Sequence, residues 1–189
     1  MIQSIIFDCF GVIYMGARSY AVSHCPVSLR PRLDELFDQA DYGFLTTDEF
    51  IAQAAELIGD SPAHFNEMLN RQYHRDEKMI ELIRALRPRY KVGLLSNSND
   101  SVIRRLFSES ELDELFTNVV ISSEVGIIKP SPEIFELAAI RLDSTPDECV
   151  MIDDVACNTD AARSVGMEGI VFTDAAQCRE QLQELGVDA

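Results

Sequence analysis

Three short apolar runs in this chain end directly on polar residues. Asp8 follows Ile5-Ile6-Phe7, Ser96 follows Val92–Leu95, and the pair Asp153-Asp154 follows Cys149–Ile152. Adjacent carboxylates repel unless something positive shares their site. A hard divalent cation such as Mg²⁺ meets that need with a few carboxylate oxygens, a carbonyl and several waters, and Asp8 is the natural further ligand. Lys129, in the turn-rich stretch Gly126-Ile127-Ile128-Lys129-Pro130, could bring an ammonium to an anion held near the metal. Ser96-Asn97-Ser98-Asn99 ends a run and opens a helix, so its hydroxyl and free N–H groups could hold a phosphate oxygen. Taken singly, each residue reads as well as a turn, a cap or a surface group. Their common position after apolar runs is what gives them weight.

Those runs are expected to be strands. Ile2–Phe7 reads as a buried strand delivering a loop at Asp8 and Gly11. From about Gly16 to Arg75 the pattern is helical: Leu33, Leu36, Phe37 and Ala40 recur at helix spacing. Thr46-Thr47-Asp48-Glu49 is a capping box opening Phe50–Ile58, and Ser61-Pro62 starts a third helix. From Asp76 onward helices and strands alternate: helix 79–86, strand 91–95, helix 101–107, strand 119–122, helix 132–142, strand 149–152, helix 156–165, strand 169–172 and helix 175–185. Ser131-Pro132 and Thr145-Pro146-Asp147-Glu148 supply start or turn signals where that pattern needs them. The alternation predicts an α/β fold, an open Rossmann-like parallel sheet with helices on both faces and a helical insertion after the first strand. Ligands in such sheets bind at the carboxyl ends of the strands.

Sixteen Lys and Arg against thirty-two Asp and Glu give a formal net charge of −16, a field that repels nucleic acid and anionic lipid alike. No apolar run approaches the roughly 20 residues needed to cross a bilayer. The first eight residues have no basic start and no small-residue cleavage site, so they do not read as a signal peptide. Five widely spaced cysteines without a C-x-x-C pair fit reduced thiols, and the expected compartment is the cytoplasm. The sequence leaves the oligomeric state open.

In order and placement, Ile5-Ile6-Phe7-Asp8-Cys9-Phe10-Gly11-Val12, Leu94-Leu95-Ser96-Asn97, Lys129-Pro130 and Ile152-Asp153-Asp154 with Asn158 resemble the four motifs of the haloacid dehalogenase superfamily of hydrolases. The likeness lies with its phosphatase branch with a small helical C1-type cap, similar to sugar-phosphate phosphatases and the phosphatase domain of soluble epoxide hydrolases. It implies a catalytic core at 1–15 and 76–189 and a cap at 16–75. It implies Mg²⁺-dependent hydrolysis of a small phosphomonoester, such as a sugar phosphate, through an aspartyl-phosphate on Asp8. Ser96, the Asn97 backbone and Lys129 would hold the phosphoryl group. Asp8, Asp154 and the Phe10 carbonyl would ligate Mg²⁺, with Asp153 accessory.

One position departs from that pattern. Most phosphatases of the family carry a second aspartate two residues after the nucleophile, where this chain has Phe10. A positioned acid–base group is typically worth on the order of 10²–10⁴-fold. Tyr14, His24 or a carboxylate of the cap could substitute, and the sequence does not choose among them. Phe10 therefore also favours two alternatives. One is a weakened member that binds a ligand or partner without turnover; the other is a haloacid dehalogenase, against which Asp153-Asp154 speak. His64 and His74 read as surface residues. Phe37, Phe44, Phe50 and Phe65 read as cap core, with Tyr42 or Phe44 able to line the substrate mouth.

Overall fold

The computed structural model describes residues 1–189, except for the side chain of Ala17. Strand β1 (Ser4–Phe7) is followed by the two-residue β2 (Tyr14–Met15), which pairs antiparallel with β3 (His74–Arg75). Between that pair run α1 (Ala17–His24), α2 (Arg30–Asp41), α3 (Thr47–Ile58) and α4 (Pro62–Gln72). Helix α5 (Glu77–Leu86) leads to β4 (Lys91–Ser96), then α6 (Asp100–Leu106), α7 (Glu109–Leu115) and β5 (Asn118–Ile121). The chain continues through α8 (Ser122–Val125), α9 (Pro132–Arg141), β6 (Cys149–Asp153), α10 (Ala156–Ser164), β7 (Glu168–Val171) and α11 (Ala175–Glu184).

Five strands form one parallel sheet in the order β5-β4-β1-β6-β7, with Phe7 in register with Leu94 on one side and Ile152 on the other. The period-2 pattern of the central strands explains the layers. Ile5, Phe7, Val92, Leu94, Val150 and Ile152 face one apolar cluster, shared with α5, α6, α7 and α11. Ile6, Leu95, Cys149 and Met151 face the other, shared with α9 and α10. A third cluster, with Leu33, Leu36, Phe50, Ala54 and Phe65 at its centre, belongs to the four helices after β2.

The caps form as their chemistry predicts. Thr46 Oγ1 accepts the Glu49 N–H at 3.2 Å while the Glu49 carboxylate accepts the Thr46 N–H at 2.8 Å, and Ser61 caps α4 with Pro62 in its first turn. Four features differ from the expected pattern. Two helices stand where one was expected after β4, because Phe107 is extended and Ser108 caps α7 by accepting the Glu111 N–H. Helix α1 starts at Gly16 with no side-chain cap, so it carries no start signal in sequence. Strands β2 and β3 are too short to show alternation. Ser122, expected to end a strand, opens α8.

Candidate active site

Because β1 lies between β4 and β6, the ends of three neighbouring strands bring Asp8, Ser96 and Asp153 to one edge. The Asp8 N–H continues the ladder to the Ile152 carbonyl at 2.9 Å, so the nucleophile candidate is anchored by backbone as well as by its neighbours. The chain then turns sharply at Gly11 (φ +93°), where a Cβ would sit 2.3 Å from the Asp154 carboxyl carbon. Only glycine permits both that backbone angle and that approach.

Lys129 reaches the centre of the cluster and is 3% exposed. Its Nζ lies 2.8 Å from Asp8 Oδ1, 2.7 Å from Asp153 Oδ2 and 3.2 Å from the Leu95 carbonyl, which uses all three ammonium protons. Burial opposes its charge, but the two carboxylates prevail and raise its pKa. Lys129 therefore has no spare N–H to offer an incoming anion and could act on one only through its charge. Its loop is held by Asn97, whose side chain donates to the Lys129 carbonyl at 2.9 Å and accepts the Lys129 N–H at 2.8 Å. That clamp leaves only the Asn97 backbone for a ligand.

Asp153 is fully buried and fully bonded. Asn158 Nδ2 donates to both its oxygens at 2.9 and 3.0 Å, and the Val155 N–H donates to Oδ1 at 2.9 Å. Asp154 is exposed, with burial and the Asp153 charge raising its pKa. Burial likewise pushes the Asp8 carboxyl up, against the pull of Lys129 and with the help of the Asp153 charge.

Several acceptors and one hydroxyl remain unused. Asp8 Oδ1 takes the Cys9 N–H at 2.6 Å as well as Lys129, while Oδ2 accepts no hydrogen bond among the described residues. Ser96 is fully buried and its Oγ has no partner among them. The Phe10 carbonyl is equally unengaged by the described residues. One carboxylate oxygen each from Asp8, Asp153 and Asp154 lie within 4.8 Å of one another. Clustered hard oxygen donors are the donor set a small divalent cation takes.

Two of the substitutes considered for Phe10 sit elsewhere. Tyr14 is buried, its hydroxyl donating to the Leu106 carbonyl at 2.8 Å and its ring edge-on to Phe107. His24 lies on α1 against the Tyr20 ring and carbonyl. Phe10 itself packs on Tyr73, with ring centroids 5.8 Å apart. Phe44 does not join the apolar cluster of its helices; it is 74% exposed and stacks on Tyr42, because Gly43 carries this loop over the outside of α8. The sequence singled out no particular cap carboxylate, yet the Asp41 backbone lies at this edge, its carbonyl accepting the Ser122 hydroxyl at 2.6 Å, and burial pushes its carboxyl pKa up to about 7.

No helix among the described residues is long and apolar enough to cross a membrane. Over 96% of its length the chain is 29% identical to the D-ribitol-5-phosphate phosphatase of Bacteroides thetaiotaomicron, of which it covers 97%. It is 30% identical to the bifunctional epoxide hydrolase 2 of Rattus norvegicus over 57% of its own length and 20% of that protein. A crystal structure of a haloacid dehalogenase family enzyme from B. thetaiotaomicron, in complex with magnesium and inorganic phosphate, superposes with a TM-score of 0.78 at 24% identity, covering 92% of this chain and 95% of that one. Residues 2–166 match the haloacid dehalogenase-like hydrolase family, to which this chain belongs.

Proposed function

We propose that this protein is a Mg²⁺-dependent phosphatase of small phosphorylated metabolites, sugar or polyol phosphates first, working in the cytoplasm through an aspartyl-phosphate on Asp8. The observation that carries the reading is the single open oxygen of Asp8, Oδ2, in one cluster with the carboxylates of Asp153 and Asp154 and with the unpartnered Ser96 hydroxyl at the next strand end. The similarity to a ribitol-phosphate phosphatase over nearly the whole chain supports the substrate class. Five free thiols support a reducing compartment.

Asp8, Asp154 and the Phe10 carbonyl would hold the metal, with Asp153 accessory. Mg²⁺ bound there supplies fixed positive charge against the charge developing on the phosphoryl oxygens. Asp8 Oδ2 attacks phosphorus, the ester P–O bond breaks, and the alcohol leaves. Ser96 Oγ and the Asn97 N–H hold the phosphoryl oxygens. Lys129 keeps Asp8 oriented and its oxyanion balanced. Water then attacks the phosphorus and frees Asp8. Residues 16–75 act as a cap that closes over the site and excludes bulk water.

The test is phosphate release from ribitol 5-phosphate and related sugar phosphates in Mg²⁺ and in EDTA. Release is expected only with metal, and Asp8→Asn should lose on the order of 10⁴–10⁶-fold in turnover, as loss of a nucleophile does. Undiminished release by Asp8→Asn would overturn the mechanism, and release in EDTA would overturn the metal requirement.

A further inference from the structure

We propose that Asp41 is the acid and base that Phe10 cannot be: it protonates the leaving alkoxide and then takes a proton from the attacking water. This rests on the phosphatase reading above and deepens it.

The geometry places Asp41 rigidly at the right edge. It is the last residue of α2, and its carbonyl accepts the Ser122 hydroxyl at 2.6 Å. That hydroxyl in turn accepts the Ser98 N–H at 2.9 Å, in the loop that follows Ser96. The residues that follow Asp41 stay against α8, the loop after β4 and the start of α6. Gly43 approaches so closely that a Cβ would lie 2.6 Å from the Ser123 carbonyl oxygen, Asn99 donates to the Leu45 carbonyl at 3.1 Å, and Thr47 Oγ1 lies 2.6 Å from Ser101 Oγ. Asp41 is thus fixed relative to Ser96 by four contacts, although it belongs to the insertion.

The side chain is left free by all of this. The Asp41 carboxylate makes no hydrogen bond among the described residues, and the residue is only partly buried. Its charged and titratable neighbours come from four parts of the chain. Arg18 of α1 and Lys129 across the site favour its anion, while Asp38 on its own helix opposes it. Tyr73, at the end of α4 and packed on Phe10, has its phenol raised by burial and in part by the Asp41 charge. Asp41 therefore lies within electrostatic reach of Tyr73, which packs on Phe10. With Arg18 partly occupied by Asp34 and Phe37, burial dominates and the carboxyl titrates at about 7. A group that titrates near the working pH can both give and take a proton.

The steps balance. As Asp8 Oδ2 bonds to phosphorus, the ester P–O bond breaks and its electron pair leaves on the alkoxide, which takes the Asp41 proton. Asp41, now anionic, accepts a proton from water as the water oxygen bonds to phosphorus. The P–O bond to Asp8 breaks, inorganic phosphate leaves, and Asp41 is again protonated.

Asp41→Asn keeps shape and removes the proton, and two readouts separate chemistry from structure. Steady-state hydrolysis of an alkyl phosphate should fall on the order of 10²–10⁴-fold. The loss of rate as pH rises through about 7 in the phosphorylation step should vanish with it. With p-nitrophenyl phosphate, whose leaving group needs no acid, the variant should still release a burst of one nitrophenolate per active site before stalling. A wild-type-like alkyl rate in Asp41→Asn overturns the proposal, and so does a burst lost in proportion to the alkyl rate. Wild-type protein that releases no phosphate from either ester overturns the phosphatase reading, and the proposal with it.

Discussion

Around Asp8, the set Lys129, Asp153 and Asn158 and the set Ser96, Asp154 and Asp41 are equally polar but differently bonded. In the first group every ammonium proton and every carboxylate oxygen has a partner, and all three residues are buried. In the second, the Ser96 hydroxyl and the Asp41 carboxylate are unpartnered among the described residues, and Asp154 stands exposed beside Gly11. The bonded group shapes and charges a mould whose cost was met during folding. The open group holds polar atoms that a bound ligand could complete. A site that works by electrostatic stabilisation needs both, because donors that reorganise during the reaction lose the advantage of being fixed.

The sharpest way to break this contrast is to remove the shared cation. Lys129→Met fills similar volume but leaves the Asp8 and Asp153 carboxylates facing each other without their counter-ion. Loss of one member of a buried charge cluster costs about 3–5 kcal/mol, to be read as the shift in unfolding free energy by urea titration. The loss should be smaller at pH 5 than at pH 8, since protonating Asp8, whose carboxyl burial pushes up to about 7, removes the unbalanced repulsion. A change under about 1 kcal/mol at pH 8 would show that the bonded half is not held by charge.

How much of this was legible beforehand follows from what hydrophobic pattern can encode. The central strands are buried on both faces, so each reads as an apolar run, and the polar residue that ends it stands out. Asp8, Ser96 and Asp153 were found that way, and the alternation of helix and strand sufficed for a parallel α/β sheet. Partners across loops leave no such trace. The Asn97 clamp on Lys129 joins residues 32 apart, and nothing in the composition of either loop announces it. Asp41 did leave a signal. Helix α2 ends on Asp38 and Asp41 with no basic residue in its last turn, against the preference of a helix C-terminus for positive charge. A local rule broken without local compensation is what a functional position looks like in sequence. Phe44 misled for the opposite reason: an aromatic residue in a helical stretch reads as core, and only the backbone at Gly43 turns it outward.

A smaller effect tests whether the open half depends on close approach. Gly11→Ala places a methyl where the Asp154 carboxylate now lies and asks an L residue to adopt φ +93°. If Asp154 is a metal ligand, the Mg²⁺ concentration for half-maximal activity should rise about 10–100-fold, the usual consequence of disturbing the surroundings of a ligand. A variant that folds and keeps the wild-type Mg²⁺ requirement would remove Asp154 from the metal site.

Ser96→Ala should change stability least, and its sign is informative. A buried hydroxyl without a partner contributes nothing to the folded state and carries the cost of leaving water. Its removal should leave the unfolding free energy unchanged or raise it by up to about 1 kcal/mol, while KM for a phosphate ester rises because a phosphoryl oxygen loses its donor. If Ser96→Ala instead destabilises the protein by more than about 1 kcal/mol, the hydroxyl belongs with the bonded group and the contrast between the two sets fails. A stable variant with weakened substrate binding would mark Ser96 as a group held ready at the expense of stability, the opposite of Lys129, whose ammonium bonds the neighbouring Leu95 carbonyl and is fully engaged before any ligand arrives.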